Sequence, residues 1–196
     1  MPIRPTTIIE EAAAAARGVG ALVIGDRRAA SYFDFSQRGL AGSFIAFLAA
    51  TVFSAYLPTI AGNTSETGMP TGRLLLIAIF LFLVQLGFSS LVLRQFKRLE
   101  RFIPYVVADN WATFFLTLIS GALAAAGIDG DPVLIVLAIV VIVIEVNIAR
   151  LIVTLSPLQI AMFLVAQLVG VSIGLAIIGL AFPAPPDAAT AQFFGA

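Results

Sequence analysis

Neither cysteine nor histidine occurs anywhere in the sequence. The first absence excludes disulfides, thiolate nucleophiles and iron–sulfur ligation, and the second excludes histidine-ligated haem or zinc. No Gly-x-Ser-x-Gly elbow or paired acidic motif takes their place, so we expect no catalytic residue, no metal site, no cofactor and no enzyme activity. Charge is scarce as well. Charged residues make up 11% of the chain, and 11 basic residues cancel 11 acidic ones, so no bulk charge points to nucleic acid or to an acidic substrate.

What is abundant is apolar. Hydrophobic residues reach 60%, and 16 phenylalanines stand against three tyrosines and one tryptophan, which lies outside the range of soluble globular domains. The fold class this implies is all-α, a polytopic membrane helical bundle whose first partner is the lipid bilayer. A hydrocarbon core of roughly 30 Å needs about 20 apolar residues of helix. Five stretches meet that length: Leu40 to Ile60, Leu74 to Leu93, Phe102 to Ala126, Val133 to Leu155 and Leu158 to Phe182. Helix punctuation separates them, with Pro58, Gly62 and Asn63 after the first span, Pro70 and Gly72 before the second, and Pro104 in the first turn of the third. Asp131–Pro132 and Ser156–Pro157 each pair a capping residue with a proline at the first helical position of the next span. No internal repeat is visible.

Arginine and lysine in short loops set orientation. The N-terminal segment carries Arg4, Arg17, Arg27, Arg28 and Arg38; Arg94, Lys97, Arg98 and Arg101 lie between spans two and three; Arg150 lies near the fourth loop. With the N-terminus cytoplasmic, every basic residue but Arg73 is inside, and Glu66, Asp129, Asp131 and Asp187 are outside. The expected placement is therefore a bacterial inner membrane, with residues 1–39 cytoplasmic, a five-span domain over 40–182, and an extracytoplasmic tail over 183–196 whose proline and alanine content predicts poor order.

Thr7 followed by Glu10 has the form of a capping box, and Gly25 is a suitable stop. The spacing predicts a helix from about Ile8 to Ile24, too weakly apolar for a signal peptide. Two readings stay open for it: an amphipathic helix lying in the cytoplasmic interface, or a cap on the bundle.

Inside the spans, ionisable groups cost several kcal/mol and turn toward the bundle. Counting 1.5 Å per residue places Asp109 roughly 9 to 10 Å above the cytoplasmic boundary, Glu145 roughly 12 Å and Arg150 roughly 4 Å. Gln85 falls at a similar level, bracketed by Gln159 and Gln167. Asp109, Thr113, Thr117, Ser120 and Ala124 recur at helical spacing and form one stripe facing inward, while Asn147, Arg150 and Thr154 form another. Glu145 lies about 200° from Asn147 and about 140° from Arg150, so no pair forms within that helix. The expected partner of Arg150 is Asp109, with Asn110 and Asn147 nearby. Glu145 is left to Gln85, to a snorkelling arginine, or to carrying a proton. A carboxylate dyad of Asp109 and Glu145 fits by depth, but the expected facing directs Asp109 to Arg150.

Gly42, Ala46 and Ala50 on the first span, and Ala166, Gly170 and Gly174 on the fifth, are small-residue faces that let helices approach closely. They serve either the monomer or an oligomer. Tyr105 and Trp111 are expected to be interface anchors.

With SYFDFSQRGLAGSF leading into the first span and RFIPYVVADNW opening the third, the chain resembles the bacterial side of the Yip1-like family of small five-span membrane proteins. It is also similar to short alphaproteobacterial proteins loosely labelled as transporters. The first resemblance implies a membrane-organising or scaffolding role and carries over no catalytic residue. Two functions follow as expectations: a non-enzymatic scaffold or accessory subunit that forms a homo-oligomer or joins a membrane complex, and a small transporter or channel built on the polar cluster Asp109, Asn110, Glu145, Asn147, Arg150 and Gln85.

Overall fold

The computed structural model of the chain describes residues 7–60, 70–128 and 130–181. The loop around Gly62, the acidic residues Glu66, Asp129 and Asp187, and the tail 183–196 lie outside the described residues. Every regular element among those described is helical: α1 (Ile8–Val23), α2 (Gln37–Ile60), α3 (Thr71–Gln95), α4 (Phe102–Ala125), α5 (Asp131–Asn147) and α6 (Pro157–Ala181). Short 3-10 turns cover Ala29–Tyr32 and Leu99–Arg101, and a π-helical turn, Ile148–Ile152, prolongs α5. The helices α2 to α6 are each long and apolar enough to cross a membrane. This is a multi-pass membrane protein.

The ends of α1 follow from its sequence. Thr7 Oγ1 accepts from the Glu10 amide and Glu10 Oε2 accepts from the Thr7 amide, both at 3.2 Å, which completes the expected capping box. At the other end Gly25 takes a left-handed φ of 70°. The amides of Asp26 and Gly25 then return to the carbonyls of Ala21 and Leu22, the paired bonds of a Schellman stop.

α1 packs on α4, α5 and α2. Its buried residues Glu11, Ala15, Gly18, Val19 and Leu22 fall at spacings of three and four, so the amphipathic stripe faces protein and the helix caps the bundle. Asn147, at the end of α5, donates from Nδ2 to the Leu22 carbonyl at 2.8 Å and fastens that cap. Beneath it the chain is dense. Tyr105, Val106, Val107 and Ala108 are all within 1% of full burial, so α4 is enclosed on every side for a full turn.

Both small-residue faces work within the chain. α2 runs along α4 with Gly42, Ala46 and Ala50 buried, and α6 runs along α3 with Gly170 and Gly174 buried and Ala166 half-buried. A β-carbon at Gly170 would come within 2.8 Å of the Phe88 ring, and one at Gly174 within 2.8 Å of Leu81, so glycine sets how closely α6 approaches α3. α5 is peripheral at its start, with Leu134, Ile135, Val136, Ile139 and Ile142 exposed as lipid-facing residues are.

Candidate functional site

Below the dense layer, four helices direct polar groups to one point. Tyr105 and Asp109 lie one turn apart on α4, Glu145 comes from α5, Gln167 from α6, and Gln85 and Ser89 lie one turn apart on α3. Gln167 donates from Nε2 to the Tyr105 hydroxyl at 3.1 Å and lies beside the Glu145 carboxyl. Gln85 and Ser89 flank the same hydroxyl. The Tyr105 ring, fully buried, meets the edge of Phe163 at a centroid distance of 5.2 Å.

At the centre the Asp109 and Glu145 side chains meet carboxyl to carboxyl. Among the described residues neither carboxyl forms an ion pair, and the enclosed Glu145 Oε2 meets no donor. The two acids are therefore left facing each other in an interior where charge is costly.

This overturns the expected Asp109–Arg150 pair. Arg150 is exposed. It lies in the π-helical turn, where Val153 donates to the Ile148 carbonyl five residues back at 3.0 Å, and the Asn147 face that Arg150 was expected to share turns to the Leu22 carbonyl of α1 and not to Asp109. Asp109 is then free to meet Glu145, so the dyad that depth allowed is the arrangement found. The angular separation of Glu145 from Asn147 holds, since one turns to α4 and the other to the α1 carbonyl.

Of the other polar-cluster residues, Gln85 reaches the site, beside the Tyr105 hydroxyl and in the wall of a cavity that Asp109 also lines. Asn110 points elsewhere on α4 and donates to Ser43 Oγ of α2 at 3.1 Å; it knits α4 to α2 as Asn147 knits α5 to α1. Tyr105 and Trp111 are not interface anchors. Trp111 is 2% exposed and stacks on Phe115 at 5.9 Å, because α1 covers the end of α4 that would otherwise meet headgroups. The signal for Tyr105 was present: it extends the Asp109, Thr113, Thr117 spacing by one turn.

Two cavities reach Asp109. One, of about 340 Å³, has Asp109 and Glu145 at its base, the hydroxyls of Thr113, Thr117 and Ser120 along one side, and Leu137 and Val141 of α5 opposite. The second, of about 460 Å³, lies between α2, α3 and α4, with Phe47, Phe82 and Gln85 in its walls. Ser54, Asp109, Thr113 and Thr117 belong to both. Along α4 both cavities begin at Asp109 and run away from α1, so the inward stripe read from the sequence lines them. On the α1 side the layer of Tyr105, Ala108, Leu22 and Ile148 closes the path.

A third buried acid lies on the α1 side. Glu11, 4% exposed, projects from α1 onto α2, where a β-carbon at Gly42 would lie 2.5 Å from its Oε1. Burial pushes its carboxyl above the ordinary value near 4.5 and Asp34 adds to the rise, while Arg38 and a hydrogen bond with Trp111 oppose it. The capping box and the Gly25 stop had pointed to α1 as a helix but not to Glu11 as an inward residue.

No family model, no curated protein and no solved structure matches this chain. The functional reading therefore rests on the carboxyl pair and its cavities.

Proposed function

We propose that the protein is a small proton-linked transporter in which Asp109 and Glu145 hold and release a proton at the centre of the bundle. One observation carries this reading: two acids in contact, with no cation beside them among the described residues, form the base of a cavity that Thr113, Thr117 and Ser120 also line. A pair of carboxyls has no hydrogen-bond donor between its oxygens until one of them is protonated, so the contact fits a pair that shares one proton. Thr113, Thr117 and Ser120 would conduct water to it from the far end, and the α1 layer would be the barrier on the other side. With the N-terminus cytoplasmic, as arginine placement favours, the cavity opens toward the outside of a bacterial inner membrane and the barrier is cytoplasmic.

The competing proposal, a non-enzymatic scaffold of the kind the Yip1-like resemblance implies, drew its support from the small-residue faces. Those faces are occupied within the chain, so transport accounts for more of what is buried. The test is proton movement into vesicles containing the purified protein and a pH-sensitive dye, driven by a potassium diffusion potential. Protein-dependent acidification, lost in Asp109→Asn and in Glu145→Gln, supports the reading. A rate equal to that of protein-free vesicles refutes it.

A further inference from the structure

Building on that reading, we infer that the cavity above the carboxyl pair takes a monovalent organic cation with an apolar body, whose charged group displaces the shared proton.

The arrangement of oxygens rules against a bare metal ion. Thr113, Thr117 and Ser120 lie four, eight and eleven residues beyond Asp109 on one helix, or roughly 6, 12 and 16 Å along its axis. Oxygens strung out in this way cannot converge on one ion, and hard cations take six or more oxygens at 2.3–2.6 Å. They can run beside an elongated molecule. Leu137 and Val141 on the facing helix supply an aliphatic wall along part of that length. At about 340 Å³ the cavity is at the small end of the range for organic ligands.

Charge fixes the sign of the guest. Asp109 is 6% exposed and lines the cavity, and among the described residues it meets no cation, only the carboxyl of Glu145. A cationic head at this base supplies the counter-charge the pair lacks, after which neither acid needs the shared proton. The exchange balances: one organic cation enters, one proton leaves, and the net charge of the site is unchanged.

The probe is benzyltrimethylammonium, whose charge is permanent, set against its neutral isostere neopentylbenzene. Calorimetry on the purified protein in mild detergent reports binding, and a dye in weakly buffered solution counts protons. We expect saturable binding with one proton released per cation. Asp109→Asn and, separately, Val141→Phe, which fills the cavity one turn from Glu145, should each weaken binding at least tenfold. Equal binding of neopentylbenzene, or cation binding without proton release, overturns the assignment. Vesicles that move protons while the protein ignores the cation overturn the substrate class and leave the transport reading standing; vesicles that move none, both under the diffusion potential and with the cation supplied on the opposite side, overturn both.

Discussion

Gly42 of α2 lies directly against Glu11 of the cap, so changing it to alanine tests how α1 is held. A β-carbon there would lie 2.5 Å from Glu11 Oε1 and 2.9 Å from its Cδ, well inside contact distance. Glu11 must move, and its buried position leaves it little room. Overpacking of this kind costs about 1–3 kcal/mol of docking, and the helical gain of alanine over glycine cancels because α2 is helical whether or not α1 is docked. With Glu11→Ala already made, the obstacle is gone and Gly42→Ala should leave docking unchanged, a coupling of about 1–3 kcal/mol. The lack of native cysteine makes the assay simple. Ala15, 1% exposed on α1, is replaced by cysteine, and its reaction with a maleimide reports how often α1 undocks, with each 1.4 kcal/mol changing the rate about tenfold. If Gly42→Ala speeds labelling equally with and without the Glu11 carboxylate, the contact does not hold the cap and the reasoning fails.

Two further outcomes are expected. Because burial raises the docked-state value of Glu11, its ionised form is penalised in the docked state at high pH, and that penalty is lost as pH falls through the raised value toward the ordinary 4.5. Labelling of the Ala15→Cys protein, corrected for thiol reactivity, should slow on acidification over that window, and Glu11→Gln should flatten the dependence; a slope unchanged by Glu11→Gln would assign it to Asp34 or another group. Lys97 closes α3 at a φ of 56°, with the amides of Arg98 and Lys97 returning to Leu93 and Arg94 where glycine is the usual residue, so Lys97→Gly should raise stability by about 1 kcal/mol, read as a higher midpoint of thermal unfolding in detergent.

The spans, the capping box, the Gly25 stop and the inward Asp109 stripe were legible in the sequence because each rests on local rules: apolar length, cap chemistry and helical spacing. α2 begins at Gln37 where Leu40 was expected, and α6 at Pro157 where Leu158 was. What could not be read was tertiary. The turn after Asn147 winds with a π-helical period that no single residue announces, and the docking of α1 claims the Asn147 face that was expected to meet Asp109. Tyr105 and Trp111 have the composition of interface anchors, and only the docking of α1 over that end makes them core. Glu11 reads as a charge at the start of an exposed helix until Gly42 is placed beneath it.

The wall shared by the two cavities has a consequence for stoichiometry. Asp109, Thr113, Thr117 and Ser54 belong to both chambers, whereas Glu145 lines only the first, so Asp109 is the carboxyl that both can offer to a guest. A cation seated against Asp109 from one side occupies the counter-charge that a guest in the other chamber would need. On the transport reading the chambers compete for that carboxyl, and each chain holds one cation at a time although it has room for two.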